Sequence, residues 1–305
     1  MRSPYPITAN LTKCEDIIMD EVKKELPKAK QYEGMSQYRP PLCFELTEKA
    51  FELVMDSGYE YELKFIDREK LAYGLLDGEK KEYKYDCLKV DDDTYFVNLE
   101  MQADKEHTVY TFILDTEQSL VTFCEARMFV NPKVPKLPYT DVVFGAIRKE
   151  DGTIPEIRHG YTADMIDKAI LWRYGTLNVI HVYSSERYYR LDFLPADIER
   201  MRANNPNPGA PGLFGADRVY EEPSGYIKIK EGIYVFNMNE EMAARGPRGQ
   251  GNNLFFLMNL NRMYDVGRSY GHNGEGVPEN YTYGAFGEYY DSSATLAKKS
   301  TAYIR

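Results

Sequence analysis

The sequence predicts a mostly β protein, two antiparallel β-barrels in tandem behind a short N-terminal helix. Three observations carry that prediction. From Tyr59 the chain alternates strictly, with Tyr59, Tyr61, Leu63 and Phe65 set against Glu60, Glu62 and Lys64, as in a half-buried antiparallel strand. Short strand-like runs then recur at even spacing with turn residues between them, the pattern of an up-and-down meander able to close on itself. Finally, the pattern starts again in the second half of the 305-residue chain.

Taken in order, residues 13–26 place Ile17, Ile18, Val22 and Leu26 at helical spacing, and Pro27 ends the run. Tyr38-Arg39-Pro40-Pro41 breaks the chain before Leu42 to Met55, which fits either a strand or a helix at a barrel entrance. Strands are expected at Tyr59–Phe65, Lys70–Leu76, Lys81–Val90, Thr94–Met101, Thr108–Leu114 and Ser119–Met128, with turns at Asp77-Gly78, Asp91-Asp92-Asp93 and Asp115-Thr116-Glu117. Pro132, Pro135 and Pro138 stiffen what reads as a connector over 129–161. Further strands are expected at Leu171–Tyr174, Val179–Tyr183, Gly225–Lys230, Ile233–Met238, Leu254–Leu260, Arg262–Tyr270 and Tyr281–Tyr290. The divisions are therefore an extension at 1–39, a first barrel at 40–128, a linker at 129–161, a second barrel at 162–291 and a polar tail at 292–305.

The repeat rests on particular pairs. Glu48-Lys49-Ala50-Phe51 matches Asp167-Lys168-Ala169-Ile170, and Tyr95-Phe96-Val97-Asn98-Leu99 matches Tyr234-Val235-Phe236-Asn237-Met238. The separation grows from 119 (168 − 49) to 139 (234 − 95), and one insertion within Pro195–Tyr220 would account for most of the growth.

Composition narrows the function. A formal charge of −10 argues against a general phosphate-backbone binder, so no nucleic-acid partner is expected. Tyrosine is abundant, 26 residues against one tryptophan, which favours strands and amphipathic cavities. Cys14, Cys43, Cys87 and Cys124 lack Cys-x-x-Cys spacing and read as free thiols of a reducing compartment. With neither a secretory leader nor an apolar span in view, the expectation is a cytoplasmic protein with no membrane partner. The tail is expected to be mobile or docked on a second copy, which leaves homo-oligomers open.

The chemistry is expected in the second half. On the strand after Asn261, Arg262, Tyr264, Val266, Arg268 and Tyr270 fall on one face, and two guanidiniums with two phenols would suit a small anionic ligand. His181 and Tyr183 share another face. His181, Tyr264 and Arg268 are the catalytic candidates, with Arg173, Tyr183, Asn237, Arg262 and Tyr270 assigned to the ligand. The plainer readings stay open: a solvated Arg262, a structural His181, and a Trp172 and tyrosine stripes that only pack. Four histidines without paired spacing call for no metal site, and no dinucleotide or Walker motif appears, so no cofactor is expected.

Asn253–Gly271, with Leu257-Met258-Asn259-Leu260 and Asp265-Val266-Gly267, and Tyr283-Gly284-Ala285-Phe286-Gly287 resemble the C-terminal domain of the molybdenum cofactor biosynthesis protein F (MoaF) family. His159-x-x-Thr162, Lys168 and Trp172-x-Tyr174 resemble the start of that domain, and residues 40–128 its N-terminal partner. The resemblance implies two lipocalin-like (calycin) barrels in tandem, and through the family name a link to molybdoenzyme activity. Asp56-Ser57-Gly58-Tyr59 and Thr94-Tyr95-Phe96-Val97 also resemble phenolic acid decarboxylases. Leu53 and Met55 stand where those enzymes use tyrosines; Glu100 falls near their glutamate, and no arginine matches. Three readings follow: a binder of a small anionic, hydroxylated aromatic molecule in the second barrel; a cofactor-free lyase, isomerase or decarboxylase at the same place; and an accessory protein for a molybdoenzyme or its cofactor pathway.

Overall fold

Alternating apolar residues close the first half of the chain into a barrel. The computed structural model describes residues 36–175, 177–197, 199, 220–244, 251–273 and 275–290. The helix expected over 13–26 and the tail expected over 292–305 lie outside them. Eight strands form the first barrel: β1 (Ala50–Met55), β2 (Glu60–Phe65), β3 (Lys70–Leu75), β4 (Lys80–Lys89), β5 (Thr94–Leu99), β6 (Val109–Asp115), β7 (Leu120–Arg127) and β8 (Tyr139–Ile147). Each pairs antiparallel with the next, and β8 returns to β1 through Leu53↔Ile147. Inward positions such as Leu53, Leu63, Phe65, Leu71, Val97 and Phe112 are fully buried, so closure both satisfies the sheet edges and fills the core.

The expected connector over 129–161 is corrected at this point. Its middle is β8, which closes the first barrel. The prolines stop before Tyr139, and from there Val143 and Ile147 face inward while Val142 and Phe144 face out. Two apolar faces on one strand hide the alternation that marks β2.

After β9 (Gly160–Tyr161) come β10 (Ala169–Arg173), β11 (Asn178–Val182), β12 (Tyr188–Asp192), β13 (Tyr220–Lys230), β14 (Ile233–Asn239), a four-residue helix α1 (Glu241–Ala244), β15 (Asn253–Asn259), β16 (Tyr264–His272) and β17 (Pro278–Tyr289). Strands β10 to β17 again form a closed antiparallel meander, sealed by β10 against β17 at Trp172↔Gly287, with β9 added along β13.

The two barrels share one register. Val97 and Phe236 are equivalent in the sequence match, and following the ladders from them pairs Phe112 with Phe256, Phe123 with Gly267, Val143 with Tyr283 and Ile147 with Gly287. The walk closes at Leu53 and Trp172, 119 residues apart (172 − 53), the separation already read at Lys49 and Lys168. Continuing through β2/β11 and β3/β12 pairs Tyr73 with Leu191, 118 apart (191 − 73); across the next turn Lys81 pairs with Tyr220, 139 apart (220 − 81). The main insertion thus falls between Leu191 and Tyr220. Even the entrance corners coincide. Glu48 (φ 65°) and Asp167 (φ 64°) are both left-handed. Their amides donate to Phe65 O and Tyr183 O, and the next amides to Leu46 O and Met165 O.

The barrels pack through their outer walls. Leu88, Val90, Phe96, Ile113 and Cys124 of the first meet Ile227, Ile229, Val235, Phe255 and Leu257 of the second in one buried cluster. Arg39 ties the rim of this seam, donating to Asp86 Oδ2 at 3.0 Å and Thr282 Oγ1 at 2.8 Å.

Candidate functional site: the chamber of the second barrel

Both faces of β16 are buried along its whole length, so hydropathy could not say which face lines the barrel. The inward face carries Asp265, Gly267 and Ser269. Tyr264, Val266, Arg268 and Tyr270 point outward into the seam with the first barrel, a correction to their expected place inside the second. Arg268 is fully buried there. Its Nε donates to Thr111 Oγ1 at 2.9 Å and one Nη to Asn253 Oδ1 at 2.7 Å, and it lies over Phe255 and Tyr270, 5.6 Å from each ring centre. The Tyr270 hydroxyl donates to His107 O at 2.8 Å. Tyr264 packs on Phe286, ring centres 5.4 Å apart. Asn237 also faces the seam, accepting from Asn253 at 2.7 Å. Arg173 lies outside, paired with Glu288 at 2.5 Å, and Arg262 is exposed with Asp92 at 4.0 Å. Of the expected residues, only His181 and Tyr183 meet inside the chamber.

Around them the interior is aromatic and closed. His181 is ringed by Tyr189, Phe236, Phe256 and Tyr183 at 5.2, 5.3, 5.6 and 6.3 Å between ring centres. Tyr183 Oη accepts from Trp172 Nε1 at 3.2 Å and donates to Met258 Sδ at 3.4 Å. Opposite stands a carboxyl that sequence reasoning did not single out. Asp265 is fully buried, and its Oδ2 accepts the Tyr174 hydroxyl at 2.9 Å. The Tyr174 ring packs edge-on against Tyr283 at 5.6 Å. Gly267 lets Tyr283 close tightly on the strand, since a Cβ there would fall 2.9 Å from the Tyr283 hydroxyl. The pairing of Gly267 with an aromatic on the next strand was the one signal in the sequence that this face lines the interior.

Among the described residues, four buried polar atoms of the chamber have no hydrogen-bond partner: Asp265 Oδ1, Tyr283 Oη, His181 Nδ1 and Tyr189 Oη. Buried polar groups are normally paired, and each orphan costs roughly 1–3 kcal/mol. Burial sets their protonation. It pushes the Asp265 carboxyl well above the usual carboxylate range, against the opposing Tyr174 phenol and Ala285 N–H, so the acid form is favoured. Burial also lowers His181 to about 3, leaving a neutral ring at physiological pH. Tyr174 and Tyr283 are raised by burial first and by Asp265 second, and stay protonated. The site is thus a set of neutral polar groups within a buried aromatic cluster. A surface groove of about 440 Å³, lined by Tyr161, Thr162, Glu186, Arg187 and Ser224, reaches the ring of Tyr226 in the chamber wall.

None of this is required by the barrel itself. At the positions of Tyr174, His181, Tyr183, Asp265 and Tyr283 the first barrel has Met55, Leu63, Phe65, Val121 and Val143.

Two closed eight-stranded antiparallel barrels, each with an inward-facing core, fit a tandem of lipocalin-like domains. A family model described as the MoaF N-terminal domain matches residues 31–129, so that part of the chain is similar to that family. No curated protein matches the chain.

Proposed function

We propose that the second barrel encloses a small hydroxylated aromatic molecule, its phenolic or enolic oxygen held by Asp265, Tyr174 and Tyr283. The observation that carries this reading is the set of orphaned polar atoms in an aromatic cage, groups that gain partners only when something polar enters. The expected anionic ligand narrows accordingly. Arg173, Arg262 and Arg268 all face away from the chamber, so a phenolate-like or enolate-like oxygen on neutral donors replaces a carboxylate on arginine. A protonated carboxyl beside phenols stabilises a developing oxyanion without a formal positive charge.

Catalysis by the same groups is the second reading, favoured by one observation. Asp265 is driven up and His181 down, a separation of acid and base forms used by cofactor-free isomerases and lyases. Trp172, the single tryptophan, hydrogen-bonds a chamber tyrosine and reports on occupancy. Titrating phenol, catechol and 4-hydroxybenzaldehyde should quench or shift its emission, and Asp265→Asn should weaken the tightest by about tenfold or more, the scale of one buried hydrogen bond. Silence across the panel, or binding indifferent to Asp265→Asn, would overturn the proposal and favour a role as an accessory protein.

A further inference from the structure

The mouth of the first barrel holds a second, chemically different cluster. Tyr73 is 93% buried, that is 7% exposed, and its ring is surrounded by Phe112, Tyr61, Tyr110, Phe123 and Tyr83 at 5.0, 5.3, 5.5, 6.0 and 6.4 Å between centres. These are inward positions near one end of β2, β3, β4, β6 and β7. Among the described residues, none of the hydroxyls of Tyr61, Tyr73, Tyr83 and Tyr110 makes a hydrogen bond to another protein group.

A carboxylate faces the same space. Glu125 lies two residues beyond Phe123 on β7 and is half-buried. Its charge reaches the phenols of Tyr61, Tyr73 and Tyr110 and raises them, after burial itself. Arg127 Nε approaches Glu125 Oε1 at 3.0 Å but lacks hydrogen-bond geometry, so Glu125 keeps unused acceptor capacity. Burial raises the Glu125 carboxyl; Arg127 opposes this, and Asp141, Glu106 and Asp104 reinforce it. Among the described residues acting on Glu125, three carboxylates thus stand against one cation, Arg127, while Lys81 is held over the Tyr83 ring.

The second barrel shows that the fold does not demand this set. Following the ladders, Tyr61, Tyr73, Tyr110 and Glu125 correspond to Val179, Leu191, Leu254 and Ser269. An anion is disfavoured where carboxylates are in excess. Aromatic rings with a nearby carboxylate are the arrangement that attracts an organic ammonium, through the ring quadrupole and a charge-assisted hydrogen bond.

We propose that the mouth of the first barrel is a binding site for a small organic ammonium ion, its charged nitrogen against Glu125 and its apolar body among Tyr61, Tyr73 and Tyr110. This site is independent of the second-barrel chamber. The test is calorimetry on the full chain with benzylammonium, benzyl alcohol and benzoate, three probes of one shape and different charge. Benzylammonium should bind with a millimolar or better Kd and the other two at least about tenfold more weakly. Glu125→Gln should reduce benzylammonium affinity about tenfold, whereas Tyr73→Phe, which keeps the ring, should change it less than Tyr73→Leu. The melting temperature of each variant identifies loss of fold, and Asp265→Asn should leave this binding intact. Equal or tighter binding of benzoate, unchanged affinity in Glu125→Gln, or no heat from benzylammonium up to about 10 mM would overturn the site.

Discussion

Arg268 lies 3.6 Å from the Sγ of Cys124, and the two are each other's counterparts in the repeat, one strand position beyond Gly267 and Phe123. A second pair of counterparts also meets: Asp91 and Lys230 form an ion pair at 2.8 Å. Val90 O accepts from Asn259 at 2.9 Å, while Ile229 O, its counterpart, accepts from Gln118 at 3.4 Å. Equivalent residues touch each other only near a two-fold axis, so the seam is the isologous interface of a dimer written in one chain.

That placement makes Arg268 a stability residue. Arg268→Met removes the donors to Thr111 and Asn253 and leaves a buried amide oxygen unpaired. Urea unfolding should show a loss of about 2–4 kcal/mol. The Trp172 response to phenolic ligands should survive in the folded variant. A large loss of ligand affinity with unchanged stability would count against the seam assignment.

His181 should add an acid-labile component to stability, opposed over the same window by Asp265, whose raised carboxyl costs stability as pH rises. Its pKa is lowered by burial from 6.5 to about 3, so between those values the unfolded chain binds the extra proton. The His181 contribution then rises with pH across that window and is lost as pH falls from 6.5 towards 3, by as much as ~5 kcal/mol. His181→Phe should flatten this limb in melting curves recorded from pH 7 to pH 4. An equally steep limb in the variant would mean that other groups set it.

Gly267→Ala tests the corner of the chamber. The added methyl would meet Phe255 O at 2.6 Å and the Tyr283 ring at 2.9 Å. Moving Tyr283 relieves only the second of these contacts, so the β15–β16 backbone must shift as well, at a cost of about 1–3 kcal/mol. Phenol binding followed by Trp172 emission should fall more than stability does. Unchanged binding would place the ligand elsewhere.

The paired corners predict a gain. Glu48 and Asp167 hold left-handed backbone that asparagine tolerates better. Glu48→Asn and Asp167→Asn should be neutral to stabilising by up to ~1 kcal/mol, and Glu48→Val clearly destabilising. Chemical denaturation of the three variants would decide it.

β2 to β4 were legible because each has one wet face, and β5 to β7, buried on both faces, through their even spacing and turn residues. Lys70–Leu76 and Thr108–Leu114 fall within a residue or so of β3 and β6. The repeat was legible too, since Lys49/Lys168 and Tyr95/Tyr234 fix a register that the ladders reproduce. What escaped was the strand β8 and the choice of inner face on β16. β8 has apolar residues on both faces and β16 buries both, so alternation lost its meaning; Arg268 and Tyr270 were placed inside the barrel and Asp265 was passed over. Glu125 was invisible for another reason, because a carboxylate near a strand end reads as ordinary surface until the ring of tyrosines around it is seen.

Joining two copies in one polypeptide has a consequence that a true homodimer cannot reach. In a homodimer each change to one cup is a change to both, so an acid in one interior is an acid in its twin. Here the linkage between Ile147 and Ala169 releases the halves from that tie. One cup has Asp265 in its depths where the other has Val121, and that other cup carries phenols and Glu125 at its rim. A single gene product thereby offers two unlike vessels at a fixed mutual orientation.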